Sequence, residues 1–219
     1  MISLQGISKT YHTKNDPVTL FTELDWKIEK GDFVALMGAS GAGKSSILSM
    51  IAGIIKPDNG SIELDNIDIT NFKTDQMIEF RGQNIAFIFQ AFELIPNLTV
   101  AENIDLVLDI SHANRRYNTL EILKKVGLSG KENRYPSELS GGEQQRVAIA
   151  RAFVADVKYL LADEPTGNLD ESNAMKIMDL IDALHKETKN TIVMITHDRD
   201  IASRANKLYR LHGGKILTQ

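Results

Sequence analysis

Apolar and polar positions alternate loosely at the start of the chain, then give way to short unbroken apolar runs. Ile2, Leu4 and Ile7 are spaced as in a strand, and Leu20 to Ile28 predicts a second before the turn at Lys30-Gly31-Asp32. Phe33-Val34-Ala35-Leu36-Met37 has no polar position at all, the pattern of a strand buried on both faces. It runs into a glycine-rich stretch and a helix predicted over Lys44 to Ala52. Ile62, Leu64, Ile67 and Ile69 alternate around Asp65-Asn66, which predicts a hairpin with a two-residue turn over Ser61 to Thr70. Ile85 to Phe89, Tyr159 to Ala162 and Thr191 to Ile195 read as further buried strands. Ala174, Ile177, Met178, Ile181 and Leu184 mark one face of a helix between the last two. Lys207 to Leu211 and Lys215 to Leu217 are strands joined by a turn at Gly213-Gly214.

From about Ala91 to Glu138 the pattern is helical, with Leu120, Leu123 and Val126 at helical spacing and no convincing strand. This segment reads as an inserted helical subdomain, and Leu139 to Ala152 (LSGGEQQRVAIARA) opens the helix leading out of it. Strands alternating with helices elsewhere argue for a mainly parallel α/β core. At 219 residues the expectation is one domain, 1–219, in which 91–150 is the helical insert and 1–90 with 151–219 form the rest.

Composition narrows the function classes. Hydrophobic residues at 42% and charged residues at 25% are ordinary for a globular chain. The net charge of −4 weighs against nucleic acid as a partner, since phosphate backbones reward a basic surface. The basic pairs Arg115–Arg116 and Lys124–Lys125 read as solvated helix faces. With no cysteine there is neither a disulfide framework nor a thiolate metal site, which suits a reducing cytoplasm. No apolar run approaches a membrane span, and the N-terminus lacks the layout of a signal peptide. Any membrane role is therefore expected through a partner.

Candidate chemistry begins where the Phe33–Met37 strand ends. Gly38-Ala39-Ser40-Gly41-Ala42-Gly43-Lys44-Ser45 matches G-x-x-x-x-G-K-S in full, between a buried strand and a helix. Such glycines let successive N–H groups turn inward on a triphosphate. Lys44 adds a point charge at the β- and γ-phosphates, and the Ser45 hydroxyl is placed for Mg²⁺. The guanine-reading Asn-Lys-x-Asp element is absent; the nearest match, Asn206-Lys207-Leu208-Tyr209, lacks the aspartate, so ATP is the expected nucleotide.

The apolar strand Tyr159 to Ala162 ends abruptly in Asp163 and Glu164. Burying uncompensated carboxylates is costly, so acids there suit a cation or a proton to be managed. Asp163 is placed to hold the Mg²⁺ shell, and Glu164 to orient and deprotonate an attacking water. Gln90 ends the Ile85–Phe89 strand, either as a polar cap or within reach of metal or water. His197 ends the Thr191–Ile195 strand, either structural or functional. As a set these strand ends are stronger than singly, because open α/β sheets bind ligands at the carboxyl ends of their strands. A second anion-competent feature lies in LSGGEQQR, where Ser140 is a good N-cap and two glycines open the start of a helix.

These residues resemble the ATP-binding cassette ATPases over essentially the whole chain, and LSGGEQQR is highly specific to that family. The resemblance implies a P-loop NTPase (RecA-like) core with an N-terminal antiparallel β subdomain and an inserted α-helical subdomain. It implies that Tyr11 stacks on adenine and that the Walker A loop comprises Gly38, Ala39, Ser40, Gly41, Ala42, Gly43, Lys44, Ser45 and Ser46. Gln90 corresponds to the Q-loop glutamine, a ligand of metal. Leu139, Ser140, Gly141, Gly142 and Glu143 correspond to the signature. Asp163 corresponds to the Walker B aspartate, Glu164 to the catalytic glutamate, Asp170 to the D-loop aspartate and His197 to the switch histidine.

Such ATPases pair head to tail, so that Ser140 and Gly142 face the γ-phosphate of a partner's ATP. ATP, Mg²⁺, a second cassette and an integral membrane, permease-like protein are the implied ligands and partners, with the chain on the cytoplasmic face of the membrane. ADEPTGNLD, FQAFELIPNLTVAENI and YPSELSGGEQQRVAIARA are similar to the bacterial lipoprotein-release and macrolide-export class, with the cell-division ATPase close. Soluble cassettes acting on DNA or the ribosome fit less well, for want of a coiled coil, zinc cysteines or a second cassette.

Overall fold

The computed structural model describes residues 1–12, 16–111 and 113–219. The chain divides into two compact units, 1–78 with 191–219, and 79–190.

In the first unit, strands β1 (Ile2–His12), β2 (Pro17–Ile28), β4 (Asn59–Leu64) and β5 (Ile67–Asp68) form an antiparallel sheet in the order β2-β1-β4-β5. The β4–β5 turn is Asp65 (φ 50) and Asn66 (φ 65), both left-handed, which is the two-residue geometry that matches strand twist. Strand β3 (Phe33–Gly38) lies parallel to both β8 (Thr191–Ile195) and β9 (Lys207–His212), and β10 (Lys215–Thr218) runs antiparallel at the edge. Val34, Ala35, Leu36 and Val193 are fully buried, as the unbroken apolar runs require. Helix α1 (Lys44–Ile51) buries Ile47, Leu48, Met50 and Ile51. Because β3 and β8 pair in register Leu36↔Ile195, their carboxyl ends, Gly38 and Thr196-His197, emerge at the same edge.

In the second unit β6 (Ile85–Phe89) and β7 (Tyr159–Asp163) are parallel, with Phe89 opposite Asp163. Helices α3 (Val100–Ser111), α4 (Thr119–Lys125), α5 (Gly141–Phe153) and α6 (Glu171–Thr188) complete it. The face of α6 read from spacing is the buried one: Ala174, Ile177, Met178, Ile181 and Leu184.

Two helices lie beyond the periodicity reading. Helix α2 (Thr74–Asn84) buries only Met77, and α7 (Arg199–Ala202) is a single turn, so neither has an apolar stripe to find. Arg115 and Arg116 lie outside the helices, in the α3–α4 connection. There Arg115 pairs with Asp105 at 2.8 Å, and Arg116 pairs with Asp156. Lys125, in the last turn of α4, pairs with Glu187 at 2.7 Å. These basic residues tie segments together instead of simply facing solvent.

Candidate nucleotide site

The glycine-rich loop is shaped by its neighbours. Gly43, the residue before α1, has φ 99 and no side-chain cap, and a Cβ there would stand 2.5 Å from the Phe21 ring. No L side chain fits both that dihedral and that contact. Gly38 is equally close-packed, since its Cβ would lie 2.8 Å from the Leu211 carbonyl oxygen. Lys44 is 9% exposed, and its Nζ donates to the Gly38 and Ala39 carbonyl oxygens at 2.9 Å each. The ammonium is thus folded back over the loop it belongs to. Ala39, Ser40, Gly41 and Ser45 are exposed, with Ala42 and Ser46 half-buried. No acid occupies the first turn of α1, which leaves its N-terminal amides and positive end to an anion.

Tyr11 stands on β1, 39% exposed, with the Lys9 ammonium 5.5 Å from its ring centre. His197 is exposed beside Gly38, in a cleft of about 180 Å³ that Met37, Arg199, Arg210 and Gln219 also line. The two arginines were not singled out from sequence: the β3–β9 pairing of Met37 with Arg210 brings Arg210 to the loop, and Arg199 opens α7 two positions after His197.

In the second unit the Phe89↔Asp163 register sets Gln90 and Glu164 next to one another at one strand edge. Gln90 Nε2 donates to Asn168 Oδ1 at 3.3 Å, and Asn168 Nδ2 donates back to the Gln90 carbonyl at 2.8 Å. A Cβ on Gly167 would lie 2.8 Å from Gln90 Nε2, so this glycine makes room for the glutamine. Asp163 and Glu164 are half-buried, and Glu164 is held at φ 46. Gly167 N–H closes the turn on the Glu164 carbonyl at 3.0 Å. Asp170 caps α6: Asn173 N–H donates to it at 3.0 Å and Asn173 Nδ2 at 2.7 Å, which holds its carboxyl below the usual range.

Helix α5 starts as the Ser140 reading anticipates. Ser140 Oγ accepts from Glu143 N–H at 3.4 Å, while Ser140 N–H and Oγ both donate to the Glu143 carboxylate, at 3.0 and 3.1 Å. Lys131 pairs with the same carboxylate, and that bond, with the Ser140 amide, pulls its pKa down to about 2. Leu139 is buried, while Ser140 and Gly141 are exposed and Gly142 half-buried. Further along α5, Gln145 donates to the Pro165 carbonyl, and Arg151 donates to the carbonyls of Glu93 (2.6 Å) and Phe92 (2.9 Å). Phe92 and Glu93, like Glu164, have positive φ.

A nucleotide loop and a signature helix in one α/β chain define an ATP-binding cassette. The ABC transporter family model matches residues 21–167, and the chain belongs to that family. It is 39% identical to the macrolide export ATP-binding/permease protein MacB of Mannheimia succiniciproducens, over 99% of this chain and 34% of that one. It is 37% identical to the lipoprotein-releasing system ATP-binding protein LolD of Legionella pneumophila, over 99% and 96%. A solved structure, the dimeric post-hydrolysis state of the cassette MJ0796 bound to ADP and Pi, superposes with TM-score 0.89 at 36% identity, covering 100% and 98%.

Proposed function

We propose that the chain is the ATP-hydrolysing subunit of a membrane complex for export or lipoprotein release, working as a head-to-tail pair of cassettes. One observation carries the pairing. Among the described residues the starts of α1 and α5 both offer glycine-opened amides, but at α1 Lys44 is bonded to neutral loop carbonyls, whereas at α5 the nearby Lys131 is taken up by Glu143. The start of α5, with Ser140 and Gly142, therefore serves the γ-phosphate of a second copy's nucleotide, with Leu139, Gly141 and Glu143 shaping it.

The amides of Gly38 to Gly43 wrap the phosphates, and Lys44 exchanges two neutral carbonyls for an anionic oxygen, a stronger acceptor. Tyr11 stacks on the adenine. Ser45, Gln90 and Asp163 supply hydroxyl, amide and carboxylate oxygens, hard donors of the kind Mg²⁺ takes, and are assigned to it from the family resemblance. When bound, the ion neutralises charge on the β- and γ-phosphates. Glu164 orients the attacking water and takes its proton, His197 contacts the γ-phosphate, and Asp170 belongs to the surface that meets the second copy. No helix among the described residues is long and apolar enough to cross a membrane. A multispanning partner supplies the attachment and places the chain on the cytoplasmic face, as the family resemblance implies. That the relatives named above serve macrolide export and lipoprotein release supports this reading.

Glu164→Gln keeps ATP binding and traps the paired state, with turnover lowered roughly 10²- to 10⁴-fold. The tagged variant, loaded with ATP and Mg²⁺ and used to capture complexes from native membranes in mild detergent, is expected to retain one multispanning protein, identified by mass spectrometry. That protein's identity separates export from cell-division signalling. Recovery of ribosomes or DNA-bound proteins without a membrane protein would overturn the proposal.

A further inference from the structure

We infer that Gln145 is a positioning residue that holds the turn carrying Glu164; the inference rests on the reading of Glu164 as the base. Gln145 lies in the second turn of α5 and is completely buried. Its Nε2 donates to the Pro165 carbonyl at 2.5 Å, while its Oε1 has no partner among the described residues. Turning the amide over would set Oε1 against the Pro165 oxygen, so the carbonyl fixes which pole faces it. An apolar side chain of similar volume would avoid the orphaned oxygen. An amide therefore serves this position only through its bond to the residue next to Glu164.

That turn needs holding. Glu164 sits at φ 46, a conformation that non-glycine residues adopt rarely and keep only where their surroundings impose it. Three constraints act together: the Pro165 ring fixes its own φ, Gly167 N–H bonds the Glu164 carbonyl, and Gln145 anchors the Pro165 carbonyl from the helix. The consequence reaches beyond local geometry. Ser140 caps the same helix, so any shift of the α5 start on meeting a second copy's nucleotide carries the Pro165 anchor with it. A rigid helical turn thereby links the signature of one copy to the base of that same copy.

The test is Gln145→Met, which keeps bulk and loses the donor, measured beside Glu164→Gln. Misplacing the base predicts kcat lowered roughly 10- to 100-fold, with the KM for ATP little changed. It also predicts accumulation of the ATP-bound pair on size exclusion, as for Glu164→Gln. A merely structural role would lower the melting temperature and weaken pairing instead. Parental kcat in Gln145→Met, or a lowered kcat without accumulation of the pair, would overturn the inference. If Gln145→Met does not fold, Gln145→Leu answers the same question. Parental hydrolysis by Glu164→Gln would remove the base assignment itself, whereas a blocked Glu164→Gln beside a fully active Gln145→Met removes only the role of Gln145.

Discussion

Helix α1 follows Gly43 and helix α5 follows Ser140, and the two treat their N-terminal ends differently. Before α1 stands Gly43, without a side chain to cap the helix, with no acid in the first turn and with Lys44 folded over the loop. Before α5 stands Ser140, whose Oγ accepts from Glu143 N–H and whose own N–H donates to the Glu143 carboxylate, itself paired with Lys131. The first terminus is left unsatisfied by its own chain and gains most from an incoming anion. The second already has Glu143 N–H bonded to Ser140 Oγ, and gains less. On the proposed function, the start of α1 binds nucleotide in the single chain and the start of α5 meets phosphate only when another copy delivers it.

The two helix starts differ most at Lys44. Lys44→Ala removes the only charge-assisted donor of the loop, and the monomer's ATP affinity is expected to fall roughly 10- to 100-fold, as measured by calorimetry. At the other terminus, Ser140→Ala should leave monomer affinity unchanged and lower turnover roughly tenfold, while loss of the cap costs about 1 kcal/mol of stability. Equal loss of monomer affinity in the two variants would mean that both helix starts serve the same nucleotide. A smaller effect is expected from Gly167→Ala. Its Cβ would press on Gln90 Nε2, which can swing aside, so turnover should drop several-fold with the melting temperature nearly constant.

How much of this was readable beforehand follows from how local each feature is. The loop from Gly38 to Ser45, the Ser140 N-cap and the Asp65-Asn66 turn are each complete within a few residues, and each stands where the pattern puts it. The ties that hold the turns at Phe92–Glu93 and beside Gln90 are not local. Arg151 reaches Phe92 and Glu93 across 59 and 58 positions, and Gln90 reaches Asn168 across 78. Nothing in VAIARA marks Arg151 as a brace for a left-handed turn, nor separates Gln145 from Gln144 beside it. Only packing does, burying Gln145 completely while leaving Gln144 part-exposed. Apolar periodicity also passes over α2, whose single buried residue, Met77, gives no stripe.

The smallest expected difference between the two helix starts is in their response to pH, because of the two only the α5 N-cap is tied to a carboxylate. Glu143 is lowered from its ordinary 4.5 to about 2, by Lys131 first and the Ser140 amide next. A carboxyl depressed on folding stabilises the folded state fully above its unfolded pKa, and that contribution fades as pH falls toward 2. Thermal melts of the wild type should therefore lose stability between about pH 4.5 and 2 in part through Glu143. Glu143→Gln, which cannot titrate, should show a shallower decline over that window and a lower melting temperature at neutral pH. Because the carboxylate is partly exposed, the difference should shrink in high salt, which screens the Lys131 pair. The start of α1 has no such acid, so substitutions in the P-loop should leave the slope of that acid limb as it is. If Glu143→Gln tracks the wild type through the whole window, the α5 terminus is not held by its own carboxylate, and the contrast between the two helix starts loses its electrostatic basis.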